Sequence, residues 1–95
     1  MPSSHHLITE TIGGETYQYY PLGRHVVRAL GVCGGRPTFK HTRIEITGTF
    51  ERLAAGETIA AIVTGYRGKV SKEAIEEATK IVTEQFLHSL PELAA

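Results

Sequence analysis

The apolar pattern of this chain changes period once. The change falls across Gly34-Gly35-Arg36-Pro37 and the short basic segment that runs from there to Ile46. Before that stretch, apolar residues cluster with β-branched and aromatic neighbours; after it they recur at i, i+3 and i+4. Paired glycines and a proline break any regular element, since glycine is at ease at positive φ and proline has no N–H to give a ladder. A chain divided this way folds as a β layer followed by helices, an α+β arrangement. With 95 residues it has room for one core, so both layers must share it.

The β side reads as two short strands, Tyr17-Gln18-Tyr19-Tyr20 and His25-Val26-Val27-Arg28-Ala29-Leu30, separated by the turn-forming Pro21-Leu22-Gly23. Arg43-Ile44-Glu45-Ile46 alternates polar with apolar and is predicted to be a third, half-buried strand. Residues 1–14 are expected to be a flexible tail around Ser3, Ser4, His5 and His6, or an edge strand built on Leu7, Ile8 and Ile12. The domain proper is then 15–95, with the β layer over 15–46 and three helices over 47–90.

Phe50, Leu53 and Ala54 make the stripe of a first short helix, with Thr47 or Gly48 as its predicted cap and Gly56 just past its end. Thr58 caps a second, whose Ile59, Ile62 and Val63 share a face before Gly65-Tyr66-Arg67-Gly68 stops it. Ser71 caps the third, with Val70 and Ile75 spaced as a hydrophobic staple. Its stripe continues through Ala78, Val82 and Phe86 until Pro91 ends it. The two short helices are too short to persist alone, so the three are predicted to pack on one another and on the β layer.

Charge and cysteine usage bound the function. Up to Ile44 five basic residues face two acidic ones, and from Glu45 onward five face eight, so one end is basic and the other acidic. That asymmetry suits a nucleic-acid face, a charged protein partner, or association between copies. Cys33 is the single cysteine, the start Met1-Pro2-Ser3-Ser4-His5-His6 is not a signal sequence, and no apolar run is long enough to span a bilayer, so a cytoplasmic protein is expected. Cys33 near His25 and His41 lacks any nucleophile-elbow, phosphate-loop or metal-ligand spacing, and the chain has no aspartate. No catalytic, cofactor or metal role is expected. Tyr17, Tyr19, Tyr20, Phe39 and Tyr66 are read as core before they are read as a stacking platform. Apolar residues left uncovered on the third helix, such as Leu87 and Leu90, would make a homodimer seam.

Val26-Val27-Arg28, the turn Gly34-Gly35-Arg36-Pro37, the apolar Phe39, Thr42-Arg43-Ile44, Leu53-Ala54-Ala55-Gly56-Glu57 and Val70-Ser71 together resemble the domain of unknown function 433 family, from about Val26 to about Val82. The sequence departs from that pattern where His41 replaces a glycine before the Thr-Arg pair, where Ala29-Leu30 replaces an Asp-Pro, and where no proline follows Tyr66. His is among the residues that tolerate positive φ, so the turn is expected to survive the first change. The resemblance implies a homeodomain-like, helix-turn-helix-like tri-helical unit and an antitoxin-like protein that binds and neutralises a PIN-type ribonuclease. Such a nuclease carries an acidic metal site, which a guanidinium fork matches. Arg28, Arg36, Lys40 and Arg43 are therefore the expected partner-binding residues. Arg43 has a second reading, as a brace that hydrogen-bonds the carbonyls of the glycine turn.

The alternative is a transcriptional regulator that binds DNA through Arg67, Lys69, Ser71 and Lys72. Against it, the start of the third helix presents Glu73, Glu76 and Glu77 beside Lys72 and Lys80, an acidic balance facing a polyanion. The connection from Tyr66 to Val70 is also longer than that motif commonly uses.

Overall fold

The computed structural model describes residues 6–93. The expected tail at Ser3, Ser4 and His5 lies outside the described residues. Strands β1 (Ile8–Ile12), β2 (Glu15–Pro21), β3 (Val26–Ala29) and β4 (Thr38–Phe39) form one antiparallel sheet in the order β1-β2-β3-β4, followed by helices α1 (Ile46–Ala54), α2 (Ile59–Gly65) and α3 (Lys72–Ser89). The fold is thus α+β, β layer first and tri-helical unit second.

Residues 8–12 are the edge strand, not a tail. They pair with β2 from Ile8 opposite Tyr19 to Ile12 opposite Glu15, and Gly13 and Gly14, at φ 58° and 83°, close the hairpin. Two consecutive positive φ angles give the mirror-image turn whose twist matches that of paired strands.

Register divides the sheet's side chains between two cores. Val26 and Phe39 are opposite each other on one face and join Ile46, Ile62, Val70, Ala74, Ile75 and Ala78 under the helices. Val27, Ala29 and Tyr19 lie on the other face, with Tyr17 and Val32 packed against them. The predicted apolar staple is present, since Val70 and Ile75 are both fully buried and the Ser71 Oγ accepts the Ala74 N–H at 3.1 Å. Thr58 caps α2 in the same way, accepting from the Ala61 N–H.

Three expectations need correction. Arg43-Ile44-Glu45-Ile46 is not a strand: only Glu45 bridges to Thr38, and Ile46 is already the first residue of α1. The cap of α1 is neither Thr47 nor Gly48 but Glu45, and its side chain caps nothing because Arg36 holds the carboxylate. The Pro37 carbonyl satisfies the Ile46 N–H instead. The buried stripe of α3 also ends early. Ile75 and Ala78 are buried, whereas Val82 and Phe86 are 40% and 61% exposed and the helix projects past the core with Leu87 and Leu90 uncovered.

One carboxylate ties α3 to the sheet. The Glu77 carboxylate accepts the backbone N–H groups of Arg24 and His25 at 2.8 and 2.6 Å, which seats the β2–β3 turn on α3. Gly23 leaves room for this contact, because a Cβ would come within 2.8 Å of the Glu77 carboxylate and of Ile81 Cδ1 and push them aside. Between helices, Thr49 and Tyr66 share a hydroxyl hydrogen bond of 2.9 Å, and Arg52 stacks over the Tyr66 ring while pairing with Glu57.

Candidate functional site

The glycine turn gathers the predicted arginines, and it assigns them different tasks. Cys33–Gly35 form a short 3-10 turn with Cys33, Gly34 and Gly35 all at positive φ. Arg28, on β3, donates from Nε to the Gly35 carbonyl at 2.7 Å. Arg36 folds back over Gly34 and forks onto Glu45 at 2.8 and 3.1 Å. That hydrogen-bonded pair holds the Glu45 carboxyl below its usual range and raises Arg36 further. Bracing of the turn, expected of Arg43, is therefore performed by Arg28 and Arg36.

Arg43 contributes backbone only: its carbonyl accepts from the Cys33 Sγ at 3.3 Å. Its guanidinium is exposed and makes no hydrogen bond or ion pair among the described residues. The loop backbone that carries it is fixed by Thr42, whose hydroxyl donates to the Phe39 carbonyl at 2.7 Å and accepts the Ile44 N–H at 3.0 Å. His41, at φ 66°, makes the reversal that the replaced glycine would have made.

Beside Arg43 runs an open groove of about 890 Å³ between the β1–β2 hairpin and the 40–44 loop. Ile12, Val32 and Ile44 give it apolar walls, and Tyr17 stacks on His41 within it at 5.0 Å between ring centres. The Tyr17 hydroxyl accepts the His41 N–H at 3.0 Å, fixing hairpin to loop. Lys40, Arg43 and Lys69 are on its margin, with Glu15 the single carboxylate. So Arg43 and Lys69, assigned by sequence to two different functions, line the same groove.

Lys40 is less free than Arg43. It lies 5.0 Å over the Tyr19 ring and 3.3 Å from Glu10, and Tyr19 together with Glu10 raises its pKa. Glu10 accepts from the Tyr19 hydroxyl, which is the main cause of its lowered pKa, with Lys40 and His41 adding to it. Among the DNA-binding candidates, Arg67 sits exposed at φ 56° and Lys69 is exposed in the groove, but Ser71 is spent as the cap of α3 and Lys72 is 3.9 Å from Glu76. Glu77, expected to face a duplex, is turned onto the β2–β3 turn. Among the described residues no three His, Cys or Glu side chains converge as a metal site, and no helix is long and apolar enough to cross a membrane.

Sequence reasoning did not place Ile12, His41 and Ile44 in a site, and it read Tyr17 as core before a stacking platform. His41 alone carried a signal, standing where a glycine was expected; the hairpin register that brings Ile12 and Tyr17 to the groove is not expressed in local sequence.

Searches of curated proteins and of solved structures returned no match to the chain. Comparison with protein families matches residues 26–80, more than half of the chain, to the family described as protein of unknown function (DUF433). The matched span holds the glycine turn, Arg43 with its Thr42 clamp, Lys69 and the packed part of the helices, and by it this chain belongs to that family.

Proposed function

We propose that this protein is a non-enzymatic, cytoplasmic interaction module of the antitoxin kind, acting as a homodimer, that binds and neutralises a PIN-type ribonuclease through the groove. The observation that carries the reading is the Arg43 guanidinium, exposed and unpaired among the described residues beside apolar walls, with Lys69 on the same margin. An acidic partner gains there in two ways. Carboxylates meet an exposed guanidinium fork on a loop whose backbone Thr42 fixes, and an apolar side chain finds Ile12, Val32 and Ile44 beneath it.

The expected contributions differ among the four predicted partner-binding residues. Arg43 makes the contact; Lys40 adds charge from its place over Tyr19; Arg28 and Arg36 hold the turn that presents both.

Inhibition of a PIN-type ribonuclease from the source organism tests this. Wild-type protein should inhibit, Arg43→Ala should weaken inhibition by roughly ten- to a hundredfold as truncation of an interface arginine does, and far-UV circular dichroism should be unchanged. Full inhibition by an Arg43→Ala, Lys69→Ala double variant would end the reading. The second reading, duplex DNA binding, rests on exposed Arg67 and Lys69 in the α2–α3 connection. Retention of duplex DNA that falls steeply with salt and requires Arg67 would favour it.

A further inference from the structure

Strand β1 lacks most of the devices that keep an edge strand single, and its one charge, Glu10, is turned onto Lys40 and the Tyr19 hydroxyl. It is the outermost strand of the sheet, runs Ile8-Thr9-Glu10-Thr11-Ile12 without proline, lysine or bulge, and leaves Leu7, Ile8 and Ile12 between 37% and 45% exposed. Natural edges are blunted by such features, and an edge that lacks them is a template for another strand.

The direction of its free backbone groups follows from the hairpin. Ile12 and Glu15 close a two-residue turn, which makes them a hydrogen-bonded pair. Pairs alternate along an antiparallel ladder, so Glu10 and Ile8 also bond inward to β2, while Thr9 and Thr11 direct their N–H and C=O groups away from the sheet.

The strand's sequence is the same in both directions about Glu10. A second β1 laid antiparallel with Glu10 at the centre sets Thr9 against Thr11 of the other copy, outward groups against outward groups, and Ile8 against Ile12. One like-charge contact results, Glu10 against its own copy. Each of those carboxylates already has an ammonium, Lys40 at 3.3 Å, and the Tyr19 hydroxyl, so the four charged groups balance.

We propose that two copies of this chain pair through β1, antiparallel about a two-fold axis at Glu10, into one continuous eight-stranded sheet. The axis is perpendicular to the sheet, so both grooves open on the same face and a partner with two acidic sites can engage both. This gives the proposed homodimer its surface; the strand lies outside the family match over residues 26–80.

Sedimentation and amide exchange of the full chain test the pairing with no nuclease present; Ile12 belongs to both strand and groove wall, so the ribonuclease reading is judged separately, by inhibition and its dependence on Arg43. An interface this small should give a dissociation constant of roughly 10–100 µM. Thr11→Pro removes an outward N–H and leaves the β1–β2 ladder whole, as proline at a solvent-facing edge position does. It should weaken association at least about tenfold with secondary structure retained. In the wild type, the Thr9 and Thr11 amides should exchange more slowly as protein concentration rises. A monomer at all concentrations up to about 1 mM overturns the proposal. So does a dimer that survives Thr11→Pro, and one lost on Phe86→Glu alone assigns the seam to α3 instead.

Discussion

The family-matched part of the molecule and its two flanks are held together by different physics. Between residues 26 and 80, Val26, Phe39, Ile62, Val70, Ile75 and Ala78 are packed at or near zero exposure. The flanks depend on register and polar contacts: the β1–β2 hairpin through Tyr17, Tyr19 and Glu10, and the far end of α3 through almost nothing, with Phe86 61% exposed. The hairpin supplies one wall of the groove, so the groove is built from both parts.

Two substitutions on one helix give the sharpest contrast. Ile75→Ala should cost about 2–5 kcal/mol in urea denaturation, as buried aliphatic truncations do. Phe86→Ala, three turns along, should stay within about 0.5 kcal/mol. Equal losses would erase the distinction and show that Phe86 is covered by another chain.

At the seam between sheet and helices, Glu77→Ala leaves the Arg24 and His25 amides without their acceptor and should cost about 1–3 kcal/mol. Gly23→Ala should cost a similar amount, about 1–3 kcal/mol, by pushing Glu77 and Ile81 aside. If neither variant lowers the unfolding midpoint, the β2–β3 turn is not seated on α3.

Legibility followed the same division. The second and third helices could be read because Thr58 and Ser71 cap them locally and Val70 and Ile75 mark the entry. The start of α1 could not, because its first N–H is satisfied by Pro37, nine positions away, and the one side chain placed to cap it is bound to Arg36. Ile44 and Ile46 alternate as in a strand, yet Ile46 and Thr49 are buried as a helical i, i+3 pair, and the longer element prevailed. In the groove, Arg43 and Lys69 were legible as cations. That they share one site was not, since 26 positions separate them and only the fold brings them together.

The smaller core, on the groove side of the sheet, has a flaw that can be removed. Thr38 is fully buried opposite Val27, and among the described residues its hydroxyl has no hydrogen-bond partner. Thr38→Val keeps the shape and deletes the unpaired group, so stability should hold or rise by about 1 kcal/mol in thermal unfolding. A loss beyond about 1 kcal/mol would mean that the hydroxyl is satisfied, and that this core is as well ordered as the one beneath the helices.

Acidification should loosen the hairpin before the helices, with the smallest effect of the series. The Tyr19 hydroxyl, then Lys40 and His41, lower the Glu10 pKa in the folded protein. A carboxylate with a depressed folded pKa stabilises the fold fully above its unfolded value, near 4.3 for glutamate, and that contribution disappears as pH falls through the lower folded value. Glu10 ties β1 and β2 to the 40–41 loop, so the amides of residues 8–12 should lose exchange protection below about pH 4 while those of Ala74 to Ala78 keep theirs. Glu10→Gln should abolish that difference in pH response. Hairpin and helix amides that lose protection together in the wild type would make the molecule a single cooperative unit, in which the flank is no weaker than the core it extends.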